Sequence, residues 1–308
     1  HNMAGLKELR NRLESIKSTQ KITSAMKMIA ASRLRKAQIM VEKSHPYSEM
    51  LNVTVKRILA SIKEEETAKN IRYILPSVVY QKPDAKNYLL FVFSSDRGLC
   101  GSYNQNVYKA TVKRIKQLQQ QNKNIKIICY GKKAYNGLKR EYADLILSNY
   151  ESVSANGLFY REAIDLGKLI GKYRDDGMCD VCEIIHSHFY SALSREMVAK
   201  QVYPLEEKYT QISDEDKELL KVGNAYYEFL PDKLKLLEVL LPKLVVDNIF
   251  TAMVNSQASE QGARMTAMDN ATRNAKDMIS NLTLKYNSIR QSAITTELTE
   301  IISGAEAL

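Results

Sequence analysis

The two ends of this chain lack proline. None precedes Pro46, and none occurs in the last 66 residues, after Pro242. Proline removes a backbone donor and breaks helix interiors, so both ends are free to form long helices. An unbroken helix of ~65 residues is roughly 100 Å long at 1.5 Å per residue. Ordinary globular helices run about 10–14 residues. The ends therefore read as a shaft, coiled coil or strut, whose work is reach and contact and not chemistry in a pocket.

Long apolar runs are missing as well. The densest stretch near the C-terminus, Leu236 to Phe250, is interrupted by Glu238, Pro242, Lys243 and Asp247. That excludes a membrane-spanning helix there. No signal peptide is recognisable, and His1-Asn2 ahead of Met3 reads as a cloning remnant or as the remnant of a processed presequence. Cysteine is sparse, with Cys100, Cys129, Cys179 and Cys182 only, which argues against a disulfide framework and for a reducing or redox-neutral compartment.

Charge is distributed unevenly. Residues 1–63 hold 13 Lys/Arg and 4 Asp/Glu, or +9. Residues 244–308 hold 5 and 7, or −2, and the middle holds 27 and 24, or +3. The basic N-terminal segment suggests an acidic partner surface or, more plainly, a solvated helix face. It has no aromatic residue before Tyr47, which argues against nucleic acid, because binding grooves interleave aromatics with cations.

Apolar residues fall at helical spacing at both ends. Leu6, Leu9, Leu13, Ile16, Gln20, Thr23, Ala30, Leu34, Ala37 and Val41 follow steps of three and four. This seam turns polar between Gln20 and Lys27, which suggests either weak packing or a surface that faces something other than a coiled-coil partner. Pro46 predicts a kink or break. The C-terminal seam is Ala271, Ala275, Met278, Leu282, Tyr286, Ile289, Ala293 and Thr296. Opposite charge makes the N-terminal helix its simplest partner. An antiparallel two-helix coil follows, with the longer C-terminal helix overhanging.

The middle reads as α/β. Tyr88 to Ser95 is a short apolar run typical of a buried strand. Further strands are predicted over Ile125–Tyr130, Val181–Phe189 and Val198–Tyr203. Helices are predicted over Asn104–Gln121, 132–142 and Phe159–Tyr173. Alternating strands and helices imply a mostly parallel, Rossmann-like sheet. The resulting division is 1–63 as an N-terminal coiled-coil helix kinked near 46, 64–230 as the α/β domain, and 231–308 as the C-terminal helix. Asp214-Glu215-Asp216 is a candidate cap for a short helix and Asp232 for the last one.

Three features could carry chemistry. Ser94-Ser-Asp-Arg-Gly-Leu-Cys-Gly-Ser102 joins a strand to a helix, where phosphates are often cradled, but it matches neither phosphate-loop fingerprint. Its glycines shape a tight turn, and Cys100 is a candidate nucleophile without a base placed by the sequence. Cys179-x-x-Cys182 with His186 and His188 has zinc-like spacing, or else is a pair of small apolar thiols at a strand entry. Strand alternation favours the second, because Cys179 would have to fold back. Glu297 and Glu300 share a helix face, yet a slender helix offers no pocket for acid–base work.

Three stretches in order carry a resemblance. Ala4-Gly-Leu-Lys-Glu-Leu-Arg10 with Thr19-Gln-Lys-Ile-Thr-Ser-Ala-Met-Lys-Met-Ile-Ala-Ala-Ser-Arg33, the Ser94–Gly101 loop, and Tyr286-Asn-Ser-Ile-Arg-Gln-Ser-Ala-Ile-Thr-Thr-Glu-Leu-Thr-Glu-Ile-Ile-Ser-Gly-Ala305 closely resemble the gamma subunit family of F-type ATP synthases. The likeness spans the chain, strongest at the ends and weak over 140–235.

The resemblance implies a central rotor shaft without catalytic residues, cofactor or metal. Its partners would be three alpha and three beta subunits, epsilon- or delta-type small subunits, and a proton-driven membrane ring. It would be peripheral, with no transmembrane segment and no nucleic acid. Family contacts with the ring of alpha and beta subunits map onto Lys21, Met26, Lys27, Arg264, Arg290, Gln291, Thr295 and Glu297. Ile301, Ile302, Ala305 and Leu308 map onto an apolar bearing. Chloroplast members carry an inserted cysteine pair that has no counterpart here, so redox control is not expected. The charged stretch 205–230 departs from the family pattern. The divergent middle and the His1-Asn2 start point to the matrix side of a mitochondrial inner membrane, with a bacterial cytoplasmic membrane as the alternative. A self-associating scaffold, a small α/β enzyme and a basic-arm nucleic-acid binder are the rival readings.

Overall fold

The computed structural model describes residues 2–65, 84–152, 159–206 and 233–306. The candidate caps at 214–216 and 232, and Leu308, lie outside them. The chain forms two compact units, one of residues 1–32 and 264–308, the other of residues 33–263.

The first unit consists of the outer parts of two helices, α1 (Asn2–Glu65) and α5 (Lys233–Glu306). They run antiparallel, since Thr23 meets Thr272 and Lys27 meets Asp269. The expected N-terminal seam is the half-buried or buried stripe of α1. On α5 the stripe is Met268, Ala275, Ile279, Leu282, Tyr286, Ile289 and Ala293, so Ile279 takes the place assigned to Met278. Every residue from Ile294 to Glu306 is exposed, in agreement with the expected overhang.

The second unit is built on a five-stranded sheet of order β3-β2-β1-β4-β5. Its strands are β1 (Asn87–Phe93), β2 (Asn124–Tyr130), β3 (Ile146–Tyr150), β4 (Val181–Phe189) and β5 (Arg195–Tyr203). All pairings are parallel except β4 with β5. β1 is central, so both faces are covered and its apolar run is continuous; Leu89, Leu90, Phe91 and Val92 are inaccessible to solvent. Strand β3 escapes the sequence reading because only Ile146 and Leu147 are apolar before Ser148-Asn149, and an edge strand needs no second apolar face.

Helix α2 (Tyr103–Gln120) covers one face through Tyr103, Val107, Thr111, Ile115 and Leu118. It ends where Asn122 adopts φ 56° and Lys123 N–H bonds the Leu118 carbonyl, a left-handed cap that asparagine tolerates. Helix α3 (Lys132–Leu138) follows β2, and a 3₁₀ turn spans Ala143–Leu145. Helix α4 (Phe159–Asp175) buries Phe159, Ala163, Leu166 and Ile170 and stops at Gly177, as its Asp-Asp-Gly predicts.

Of the kink or break expected at Pro46, the break is absent. Helix α1 continues through Pro46, and α5 through Pro242. A proline inside a helix costs about 3 kcal/mol. Beyond Pro46 the helix buries Leu51, Val55, Ile58 and Leu59, and near Pro242 it buries Leu237, Leu241 and Leu244. At roughly 1.5–3 kcal/mol per buried side chain, packing outweighs the lost hydrogen bond.

From Ala252 to Ala263, α5 is buried on every side. Several of its polar groups are matched within the unit. The Tyr103 and Ser256 hydroxyls lie 2.7 Å apart, Ser259 Oγ donates to the Ser187 carbonyl at 3.1 Å, and Asn255 Oδ1 accepts from Phe189 N–H. Gly262 permits this approach, because a Cβ there would stand 3.3 Å from Ala192 Cα and the Phe189 ring.

Candidate functional site

The loop after β1 uses its polar groups on itself and on its neighbours. Ser94 Oγ donates to the Gly131 carbonyl and accepts from Ala134 N–H. Gly131 is required there, since a Cβ would lie 2.3 Å from the Ser94 carbonyl oxygen at φ 109°. Asp96 accepts from the backbone N–H of Lys132 and of Ser152, each at 2.9 Å. Cys100 is buried, and its sulfur accepts from Asn104 Nδ2 and lies near the Arg97 carbonyl, neither of which is a base. The arrangement braces a turn and does not activate a nucleophile.

The Cys-x-x-Cys reading resolves toward packing. Cys179 precedes β4 and Cys182 lies on it, pairing with Tyr203 across the sheet. Burial pushes the Cys179 thiol up to about 12 and that of Cys182 well above its ordinary value. His186 is buried, which lowers its pKa to about 4, with Lys200 adding to the effect. Among the described residues no group of three His, Cys, Asp or Glu side chains could hold a metal ion. A groove of about 480 Å³ between α4 and α5 is lined by Tyr160, Ile164, Gly171 and Val246, with Lys168 and Lys243 on it, and contributes no carboxylate, thiol or imidazole.

The paired helices of the first unit remain, and the mapped residues divide into three classes there. Lys21, Arg290, Gln291, Thr295 and Glu297 are exposed, as are Ile301, Ile302 and Ala305. Met26 is half-buried, on one stripe with the exposed Ile22 and Ile29 at positions i, i+4 and i+7. Arg264 is buried at 8% exposure, unlike its companions.

Lys27 is half-buried and engaged. Its Nζ lies 2.5 Å from Asp269 Oδ1. Asp269 also accepts from Arg273, one turn along the same helix. The Arg273 guanidinium, and after it the Lys27 ammonium, holds the Asp269 carboxyl below the usual carboxylate range. Beside them the Thr23 and Thr272 hydroxyls lie 2.8 Å apart, either able to donate to the other, and each also reaches a carbonyl of its own helix, Gln20 at 3.1 Å and Met268 at 2.8 Å. The polar interruption of the seam is therefore partly an internal network and not wholly an outward face. The sequence reading missed Asp269, although an acid on the C-terminal helix opposite a basic helix was its available signal.

The overhang carries a second surface. Ile294, Leu298 and Ile301 fall at i, i+4 and i+7, and Arg290 and Glu297 lie on the same side of the helix. Ile301 is 68% exposed. Among the described residues no helix is long and apolar enough to cross a membrane.

These features agree with what the chain resembles. The sequence model of the family described as ATP synthase matches residues 5–308. The ATP synthase gamma chain of Rhodospirillum rubrum is 42% identical over 306 residues, covering 99% of this chain and all of that protein. The gamma chain of Pelagibacter ubique is 41% identical over the same coverage. Among solved structures, a chain of the Euglena gracilis mitochondrial ATP synthase in its OSCP/F1/c-ring form aligns with TM-score 0.63 at 18% identity, over 99% of this chain and 94% of that one. A chain of the Tetrahymena thermophila mitochondrial central stalk and c-ring gives 0.57 at 24%, over 81% and 99%. At such identities these two establish the fold.

One expectation is corrected by the relatives. The divergent middle and the first two residues point to the mitochondrial inner membrane. The relatives at 41–42% identity across the whole chain, middle included, are bacterial gamma chains, and they favour the bacterial cytoplasmic membrane instead. With the family model spanning nearly every residue and gamma chains matching from end to end, the chain belongs to the ATP synthase gamma chain family.

Proposed function

We propose that this gamma chain is the non-catalytic central shaft that couples rotation of a proton-driven membrane ring to the nucleotide sites of three beta subunits. One observation carries the reading: the overhang from Ile294 to Glu306 is wholly exposed yet keeps an apolar stripe of Ile294, Leu298 and Ile301. Such a stripe is a surface made to meet a partner. In this reading Ile301, Ile302, Ala305 and Leu308 form the bearing within three alpha and three beta subunits.

Lys21, Met26, Arg290, Gln291, Thr295 and Glu297 supply the contacts made and released on each turn. A few exposed polar groups on a rigid rod suit that task, because rim contacts tune encounter and release without deep burial. Arg264 supports the rod from within, and Lys27 is spoken for by Asp269. The asymmetric rod carries each beta site through open and closed states. Small epsilon- or delta-type subunits and the membrane ring complete the rotor.

The decisive experiment is co-purification with native partners. One copy of this chain with three copies each of two larger subunits, and ATP hydrolysis by the assembly, is expected. A homodimer without such partners would replace the rotor reading with the scaffold one. Within the assembly, Arg290→Ala with Gln291→Ala is expected to lower ATPase or torque while leaving the helicity of the isolated chain unchanged. Unaltered coupling would remove both residues from the contact surface.

A further inference from the structure

The apolar seam of the first unit does not specify its own alignment. Leu9, Leu13 and Ile16 face a row of Ile279, Leu282, Tyr286 and Ile289. Sliding one helix by a turn, four residues, sets apolar against apolar again. Sequences of this kind usually pin alignment with a single polar layer. The layer of Thr23, Lys27, Thr272, Asp269 and Arg273 is placed to do so.

We propose that this layer is a shear lock, which holds the two helices in one axial alignment so that they carry torque as a single strut. The inference rests on the shaft reading for its purpose and on the chain's own geometry for its existence. A slip of four residues one way places Lys27 opposite Arg273, like against like. The opposite slip places it against Met265 and leaves Asp269 with Arg273 alone. Either slip parts the two threonine hydroxyls and sets Thr23 against Met268 or Lys276. Both ions are partly solvated, with side-chain exposures of 43% and 25%, so the lock adds little to overall stability. Its effect is a penalty on the slipped alignments. Twisting a two-helix rod makes the helices slide past one another, and a lock that resists sliding stiffens the rod.

Disulfide trapping in the full chain tests this. Extending the Thr23–Thr272 pairing ten residues toward the termini brings Leu13 opposite Leu282. Leu13→Cys with Leu282→Cys is expected to crosslink faster than Leu13→Cys with Tyr286→Cys, which reports a one-turn slip. The four native cysteines are buried and stay out of the reaction. Asp269→Lys is expected to lower the preference for 282 about threefold, the scale of an exposed ion pair. Adding Lys27→Asp should restore most of it.

An unchanged preference in Asp269→Lys with intact helical circular dichroism overturns the lock. Should that variant lose helicity, Asp269→Asn and Thr23→Val preserve shape and read the same preference, and full retention in both overturns it equally. Crosslinking is measured on the chain alone. It therefore judges the lock even if co-purification has removed the rotor reading, and co-purification judges the rotor whatever the crosslinks say.

Discussion

The two compact units use burial in opposite ways. Around β1 of the sheet unit, Leu89, Leu90, Phe91 and Val92 are inaccessible to solvent, and a buried acid of the neighbouring strand, Glu183, is held by Arg114 with Nε at 2.7 Å. In the helix-pair unit the seam is mostly half-buried, only Thr23, Ala30, Met268, Ala275 and Ala293 falling in the buried class alongside Arg264. A dry core specifies one packing arrangement through shape. A half-wet seam of leucines and alanines leaves alignment underdetermined, and polar pairs at a few positions decide it. The sheet unit is thus a rigid body, and the helix pair is a rod whose surface is its business.

The comparison breaks first at the core. Phe91→Ala should destabilise the sheet unit by about 3–5 kcal/mol, the cost of a large cavity in a well-packed core. Hydrogen exchange resolved by segment should show protection falling over β1, β2 and β4 and holding over residues 13–27. Equal loss in both segments would mean the two units unfold as one.

Acid sharpens it next. His186 is held neutral, with a pKa near 4 against an ordinary 6.5. Between these values the unfolded chain binds a proton that the folded chain does not, so stability falls as pH drops from about 6.5 to 4. The full loss is ~3 kcal/mol at 1.36 kcal/mol per unit. The Asp269 carboxyl is shifted downward, so its contribution is present above the ordinary carboxylate pKa and is lost only as pH falls through the lowered value. The sheet unit should therefore weaken before the lock opens. His186→Phe should flatten the first phase in pH-dependent denaturation; an unaltered slope would assign that phase to other groups.

The smallest effect belongs to the seam. Leu282→Ala removes a half-buried side chain, so about 1–2 kcal/mol is expected, less than the 2–5 of a fully buried leucine. A cost at the top of that range, read by thermal melting followed at helical circular dichroism, would show the seam to be drier than its exposure implies.

Much of this was legible in advance. Steps of three and four from Leu6 to Val41 traced the buried stripe of α1, and the unbroken apolar run from Tyr88 marked the central strand. Helix α4 ended at the predicted Asp-Asp-Gly. Misses came where local signals were weak or overridden. Ile146-Leu147 was too short to announce β3. Pro46 signalled a break that the burial of Leu51 and Val55 offset. Met278 and Ile279 are adjacent and both apolar, so spacing alone could not choose between them. Lys27 and Arg264 matched the family pattern for outward contacts, but nothing in a linear pattern says that one is paired across the seam and the other buried.

By itself the sequence determined the long helices at the two ends, their unequal charge, the alternating α/β middle and the family. These depend on backbone chemistry and on periodicity, which are local. The tertiary structure alone decided that helices pass through two prolines, that an edge strand closes the sheet, and that Asp269 holds Lys27. Those outcomes compare energies between residues distant along the chain, from the 19 positions between Ile127 and Ile146 to the 242 between Lys27 and Asp269, where a buried leucine or a matched charge outweighs a local preference worth no more than a few kcal/mol.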